Sequence, residues 1–158
     1  FFTVYGPWGR PNMALFMFTK AILAGEPIPV FNDGNLARAF TYIDDIVEGV
    51  VRVLTRPAAH NPACVGAPAD PATTGVAPHN VFNIGCGNPV KLMDFISILE
   101  KALDRKAIVN FQPMQAGDVE QTWCDVTALE AAVGYRPAVS IEEGVSSFVD
   151  WYRAFYNT

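Results

Sequence analysis

Apolar positions along this chain change rhythm several times, and each change marks the start of a short strand, a helix or a loop. Phe1-Phe2-Thr3-Val4-Tyr5 has the β-branched and aromatic make-up of a buried strand. No initiator Met or polar leader precedes it, so the chain is expected to start in mid-fold. After the loop Gly6-Pro7-Trp8-Gly9-Arg10-Pro11, Asn12 stands where it would cap a helix over 13–24, which Gly25 would stop. Leu15-Phe16-Met17-Phe18 in a row cannot share one stripe, so this helix should be buried on more than one side. Residues 27–31 predict a short strand, Asn32-Asp33-Gly34-Asn35 a turn and 38–42 a second extended piece, together a hairpin-like pair. Ile43, Ile46, Val47, Val50, Val51 and Leu54 then follow helical spacing behind Asp44 and Asp45, carboxylates suited to a helix N-terminus. That helix should pack against a sheet.

Over residues 57–80 the periodicity disappears into Pro, Ala, Gly, Thr and Asn, which predicts a long Pro-rich surface loop. Val81-Phe82-Asn83-Ile84 resumes as a strand, and Leu92, Phe95, Ile96, Leu99 and Leu103 mark an amphipathic helix. Residues 108–111 predict another strand, and Asp125 is placed to cap a short helix ending at Gly134. Ser140 with Glu143 forms a capping-box pattern before a last helix whose Ile141, Val145, Phe148, Val149, Tyr152 and Phe155 should face inward. No internal repeat is visible. The alternation predicts an α/β unit over 1–158 with mixed strand directions.

Composition narrows the function classes. With 158 residues, 51% of them hydrophobic, the chain can fill one real core and is not disordered. Only 17% are charged, so part of the apolar surface is expected to meet another segment of protein. A net charge of −5 with scattered Lys and Arg argues against nucleic acid as a partner. Cys64, Cys86 and Cys124 have no C-x-x-C spacing and form an odd set, which signals neither zinc nor a disulfide framework and fits a reducing cytoplasm. No apolar run reaches the roughly 18 residues of a membrane span and no signal peptide is present, so no membrane contact is expected of this segment. His60 and His79 stand at no catalytic or ligand spacing. Gly85-Cys86-Gly87 follows the predicted strand, but position 90 is Val90 and Pro89 precedes any helix, so the G-x-G-x-x-G dinucleotide pattern is not met.

Five ordered segments carry a likeness: 1–11, Arg38-Ala39-Phe40-Thr41-Tyr42-Ile43-Asp44-Asp45, Asn83-Ile84-Gly85, Gln115-Ala116-Gly117-Asp118 and Gly134-Tyr135-Arg136-Pro137. Together they resemble the UDP-glucuronate 4-epimerases, members of the NAD-dependent epimerase/dehydratase family of extended short-chain dehydrogenase type. The resemblance runs through the whole chain and implies its C-terminal, substrate-binding half, with the last strand of the Rossmann half at the N-terminus.

It also implies roles. Arg38 would reach the diphosphate, where a guanidinium bonds two oxygens at once; without the resemblance it is a surface Arg beside Asp44 or Asp45. Arg10, on a loop stiffened by Pro7 and Pro11, would hold the sugar carboxylate with Thr3. Pro29 and Phe31 would border uracil, and Asp118 would bond the ribose; the plainer alternatives are core packing and a turn Asp. Gln115 stands where galactose epimerases carry a second phosphate-binding Arg, which favours a uronate. Phe1 and Val4 would line the nicotinamide side of NAD.

Family members use a Tyr-x-x-x-Lys pair as base. None of Tyr5, Tyr42, Tyr135, Tyr152 and Tyr156 has Lys four places on. The expectation is therefore an inactive fragment, unable to bind NAD alone, whose partners are a UDP-sugar and an N-terminal half of the same protein, homodimeric at full length. A nucleotide-sugar 4,6-dehydratase, a uronate decarboxylase and a non-catalytic sugar-nucleotide-binding module are the alternatives.

Overall fold

The computed structural model describes residues 1–59 and 78–158. His60, Cys64 and most of the predicted 57–80 loop lie outside the described residues. The elements are β1 (Thr3–Tyr5), α1 (Ala14–Ala24), β2 (Pro27–Phe31), a 3-10 turn (Asn32–Gly34), β3 (Ala37–Arg38), β4 (Phe40–Tyr42), α2 (Ile43–Leu54), β5 (Val90–Lys91), α3 (Leu92–Leu103), β6 (Ile108–Gln112), β7 (Gln121–Thr122), α4 (Thr127–Val133) and α5 (Ile141–Tyr156). The fold is α/β, with short parallel and mixed strands packed with helices. Among the described residues no helix is long and apolar enough to cross a membrane.

Strand pairing departs from the sequence expectation. β2 does not fold back as a hairpin; it pairs in parallel with β6, Pro27 opposite Ile108 through Phe31 opposite Gln112. The predicted second piece breaks at Ala39 and its halves join different neighbours. Ala37 and Arg38 lie between β5, antiparallel, and β7, parallel, whereas Phe40–Tyr42 pairs in parallel with Thr3–Tyr5. Residues 81–84 are not a strand in the described structure: Val81 is exposed and Ile84 buried. Their β-branched and aromatic character records burial of one side chain rather than ladder hydrogen bonds.

The helices follow their patterns more closely. Leu15, Phe16, Phe18, Thr19 and Ile22 of α1 are all buried, so the helix is covered on more than one side, although Met17 is exposed. Its cap position is Met13, which makes no side-chain cap bond, and not Asn12. α5 opens on the full capping box: Ser140 Oγ accepts from Glu143 N at 3.2 Å while Glu143 Oε2 accepts from Ser140 N at 3.1 Å. Asp125 Oδ1 accepts from Thr127 N at 2.9 Å at the start of α4. Phe155, expected inward, is half exposed.

One core joins α1, α3 and α5 to β1, β2 and β4, with Phe40 stacked on Phe95 at 4.6 Å and Phe16 against Tyr152 at 5.2 Å. A smaller cluster of Ile46, Ile84 and Leu129 takes in Val4 from the opposite face of β1. The α2 helix meets the sheet through Ile46, but Val47, Val50, Val51 and Leu54 of its apolar stripe are exposed.

The N-terminal turn of α5 lies on β1 because Gly144 leaves a notch for the buried Tyr5 ring. A Cβ there would stand 2.6 Å from Tyr5 Cζ and closer still to its hydroxyl, which donates to the Ser140 carbonyl at 3.4 Å. We expect Gly144→Ala to lose about 2 kcal/mol in urea unfolding through overpacking, more than the roughly 1 kcal/mol gained in helix propensity. Adding Tyr5→Phe, which removes the nearest atom, should recover part of the loss. An unchanged midpoint in Gly144→Ala would show that the notch is loose.

Candidate functional site

The parallel pairing of β1 with β4 brings Thr3 opposite Phe40, and a cavity of about 270 Å³ opens beside that pair. Its walls are mostly apolar: Leu15, Phe16, Leu36, Phe40, Val90, Leu92 and Phe148 among them. Six of the residues singled out from the sequence, Thr3, Val4, Arg10, Pro29, Phe31 and Arg38, line this same space. They come from β1, the loop before α1, β2 and β3, so only the folded chain assembles them.

Arg38 does not pair with Asp44 or Asp45. Its Nη2 donates to Asp118 Oδ1 at 2.7 Å, and its Nη1 donates to the carbonyls of Ala37 at 2.9 Å and Glu120 at 3.1 Å. Three of the five guanidinium donors are thus taken, which fixes its plane and leaves others for a ligand. The cause is β7, whose parallel register with β3 lays residues 118–122 beside it. Asp118 stands at a turn closed by its N–H donating to the Gln115 carbonyl at 3.2 Å. Gln115 is exposed, and neither it nor Asp118 lines the cavity. Asp118 reaches the site through Arg38.

Arg10 differs in having no such clamp. Among the described residues no carboxylate lies within 4.0 Å of its guanidinium, and its Nη2 contacts Met13 Sδ at 3.2 Å. A guanidinium with no carboxylate partner among the described residues, at the rim of an apolar cavity, attracts an anionic group. The loop that presents it is tight, with Gly9 N–H donating to the Gly6 carbonyl at 3.1 Å and Met13 N–H to the Arg10 carbonyl at 3.1 Å.

Val4 sits at a seam, lining the cavity while packing into the Ile46, Ile84 and Leu129 cluster. Phe1 is apart. It is 70% exposed and borders a second, open cavity of about 460 Å³ with Val50, Leu54 and Phe82.

Gly85-Cys86-Gly87 forms no phosphate cradle. A Cβ on Gly85 would stand 2.6 Å from Cys124 Sγ, so this glycine serves close packing. The Cys86 N–H is already donated to Thr41 Oγ1 at 2.8 Å. Cys124 is buried, and burial raises its thiol pKa, as suits a packed small hydrophobe.

Sequence reasoning missed Phe40 as a cavity wall. A signal was present in the predicted extended piece 38–42, where Arg38 and Phe40 stand two apart, although the run breaks at Ala39 and the cavity joins the two across that break. Phe148 carried no such signal, because its approach depends on how α5 crosses the sheet.

The sequence profile of the NAD dependent epimerase/dehydratase family matches residues 1–85. Protein CapI of Staphylococcus aureus is 47% identical over 156 residues, and a probable UDP-glucuronate 4-epimerase of Rhizobium meliloti is 49% identical over the same length. Each alignment covers 99% of this chain and 46% of the relative, so the chain spans less than half the length of these curated relatives. The crystal structure of UDP-glucuronic acid 4-epimerase from Bacillus cereus, in complex with UDP-glucuronic acid and NAD, superposes with a TM-score of 0.79 at 34% identity over 98% of this chain and 44% of that one.

Proposed function

The chain belongs to the NAD dependent epimerase/dehydratase family, and from that premise we propose that it is the nucleotide-sugar-binding part of a UDP-glucuronate 4-epimerase, which interconverts UDP-glucuronate and UDP-galacturonate. The observation that carries this is the pairing, around one apolar cavity, of a clamped arginine, Arg38, with an unclamped one, Arg10. A UDP-uronate presents two separate anionic groups, the diphosphate and the sugar carboxylate, joined to an apolar-faced base. Arg38 holds the diphosphate with its remaining donors. Pro29 and Phe31 flank uracil, and Asp118 bonds the ribose while orienting Arg38 from behind. Thr3 and Arg10 take the carboxylate, and Gln115 adds no second phosphate charge.

NAD, when bound, supplies the hydride acceptor for the sugar C4. Gly85-Cys86-Gly87 offers its phosphates no cradle, since the Cys86 amide is donated to Thr41 and Gly85 is committed to packing against Cys124. Of the two residues expected on the nicotinamide side, Val4 lines the cavity and keeps that assignment, whereas Phe1 borders the second cavity. This chain's part is to bind and orient the sugar, and the sequence has no Tyr-x-x-x-Lys to move its proton.

Calorimetry on the 158-residue chain tests this. UDP-glucuronate should bind about tenfold or more tighter than UDP-glucose, because only the uronate offers Arg10 a carboxylate. No turnover and no binding of NAD are expected of the chain alone. Equal affinity for the two sugars, or no binding of either, would remove the uronate assignment.

A further inference from the structure

Trp8 is the residue of this region with the least obvious reason to be there. The residue is 74% exposed, so burial does not explain it. Its backbone is left-handed, with φ of 63°. It is the third residue of the turn that Gly9 N–H closes on the Gly6 carbonyl, and with Pro7 before it that is the position type II turns reserve for Gly or Asn. A tryptophan there is strained unless something outside the turn holds it.

The ring shows what does. The Trp8 centroid lies 5.3 Å from Trp151 and 5.1 Å from Phe155, tilted at 55° and 76°. Those two rings stack on each other at 5.5 Å on α5, so Trp8 leans on an aromatic shelf formed by that helix. Two residues on comes Arg10, whose carbonyl and guanidinium both meet Met13 at the start of α1. Arg10 is therefore slung between two anchors, the Trp8 ring on α5 and Met13 on α1. Pro7 and Pro11 each fix one φ of the loop, and Gly6 and Gly9 leave the torsions beside Trp8 free.

We propose that Trp8 is a positioning residue that fixes Arg10 at the rim of the cavity, and so determines specificity for an anionic sugar without touching it. The proposal rests on the uronate assignment above for its functional consequence, and on the aromatic shelf for its mechanism. A charged hydrogen bond has to be aimed, and Pro7, Pro11 and the two turn hydrogen bonds set the loop's shape while the Trp8 ring ties that shape to α5.

Three variants separate the possibilities. Trp8→Ala removes the ring and leaves a strained φ, Trp8→Gly removes the ring and relieves the strain, and Trp8→Phe keeps an aromatic ring. In the 158-residue chain, amide hydrogen exchange is read at Gly9 and Met13, whose N–H groups close the loop, and at α3 as a control. Affinities are measured for UDP-glucuronate, UDP-glucose and UDP.

In Trp8→Ala and Trp8→Gly, protection at Gly9 and Met13 should fall about tenfold with α3 unchanged. UDP-glucuronate affinity should drop about tenfold, while UDP and UDP-glucose are hardly affected. Trp8→Phe should keep most of both. Unchanged loop protection in Trp8→Gly would overturn the proposal, and so would equal losses for all three ligands. Loss of protection throughout α3 and α5 in both variants would make Trp8 a stability residue and also overturn it. Should the unmodified chain show no preference for the uronate, the functional assignment fails, and the exchange data still decide whether Trp8 positions Arg10.

Discussion

Asp45→Ala should lower the unfolding free energy by about 3 kcal/mol. Asp45 is 8% exposed, and its carboxylate holds three donors from a segment 90 residues away. Oδ1 accepts from the Tyr135 hydroxyl at 2.8 Å, and Oδ2 from the backbone N–H groups of Ala138 at 3.1 Å and Val139 at 2.9 Å. Truncation leaves two part-buried main-chain donors without acceptors, each costing roughly 1 to 3 kcal/mol, while the Tyr135 hydroxyl keeps only the Asp45 backbone carbonyl at 3.1 Å. Asp45→Asn, which keeps one acceptor oxygen, should lose roughly half as much. Tyr135→Phe should cost about 1 kcal/mol. Urea unfolding with an unchanged m-value checks the series, and a loss under about 1 kcal/mol in Asp45→Ala would mean that water replaces the carboxylate. Burial, and then the bond to Asp45, raise the Tyr135 pKa above its ordinary 10.0. The stability tied to this phenol is therefore whole below pH 10 and is lost only as pH rises through the raised folded value. The consequence reaches the site, because the locked segment leads into Ser140 and α5, which carries Phe148 to the cavity and Trp151 and Phe155 to Trp8.

Arg38→Ala and Arg10→Ala should separate the anchor of the nucleotide from the selector of the sugar. Losing a partly buried charged hydrogen bond costs on the order of 2 to 4 kcal/mol, or roughly 30- to 1000-fold in affinity. For Arg38→Ala that loss should fall on UDP, UDP-glucose and UDP-glucuronate alike. Arg10→Ala should spare UDP and penalise the uronate. The Arg38 pair with Asp118 is only about a quarter exposed on each side and Arg38 also donates to two carbonyls, so Arg38→Ala should cost some stability as well, and urea unfolding of the variant checks that it folds. Asp118→Asn removes no cation but loosens Arg38 and alters the proposed ribose contact, so it should weaken all three ligands by a smaller factor. Equal losses for UDP and UDP-glucuronate in Arg10→Ala would make Arg10 a phosphate or structural residue, and the case for a uronate would lose its main support.

The sequence by itself determined the helices, because their signals are local. The 3.6-residue stripe of α3, the Ser140 and Glu143 box of α5 and Gly25 as a left-handed stop all act within four residues. It also picked out Arg10, Arg38, Thr3, Pro29 and Phe31, which then proved to border one cavity. Tertiary structure alone decided which strands pair. A period of two says which face of a strand is apolar and nothing about its neighbour, so β2 could be recognised while its parallel partner β6 could not. Exposed apolar side chains at Val47, Val51 and Val81 show the same limit, since pattern marks a surface as fit for burial and only packing decides whether it is buried. The contacts that aim the site are of this kind. Arg38 with Asp118, Asp45 with residues 135–139, and Trp8 with Trp151 each join groups 80 or more residues apart. Charge, hydrogen-bond capacity and aromatic surface are written in each residue, but the choice of partner is made by the strand register and helix crossings that bring distant segments within a few ångströms.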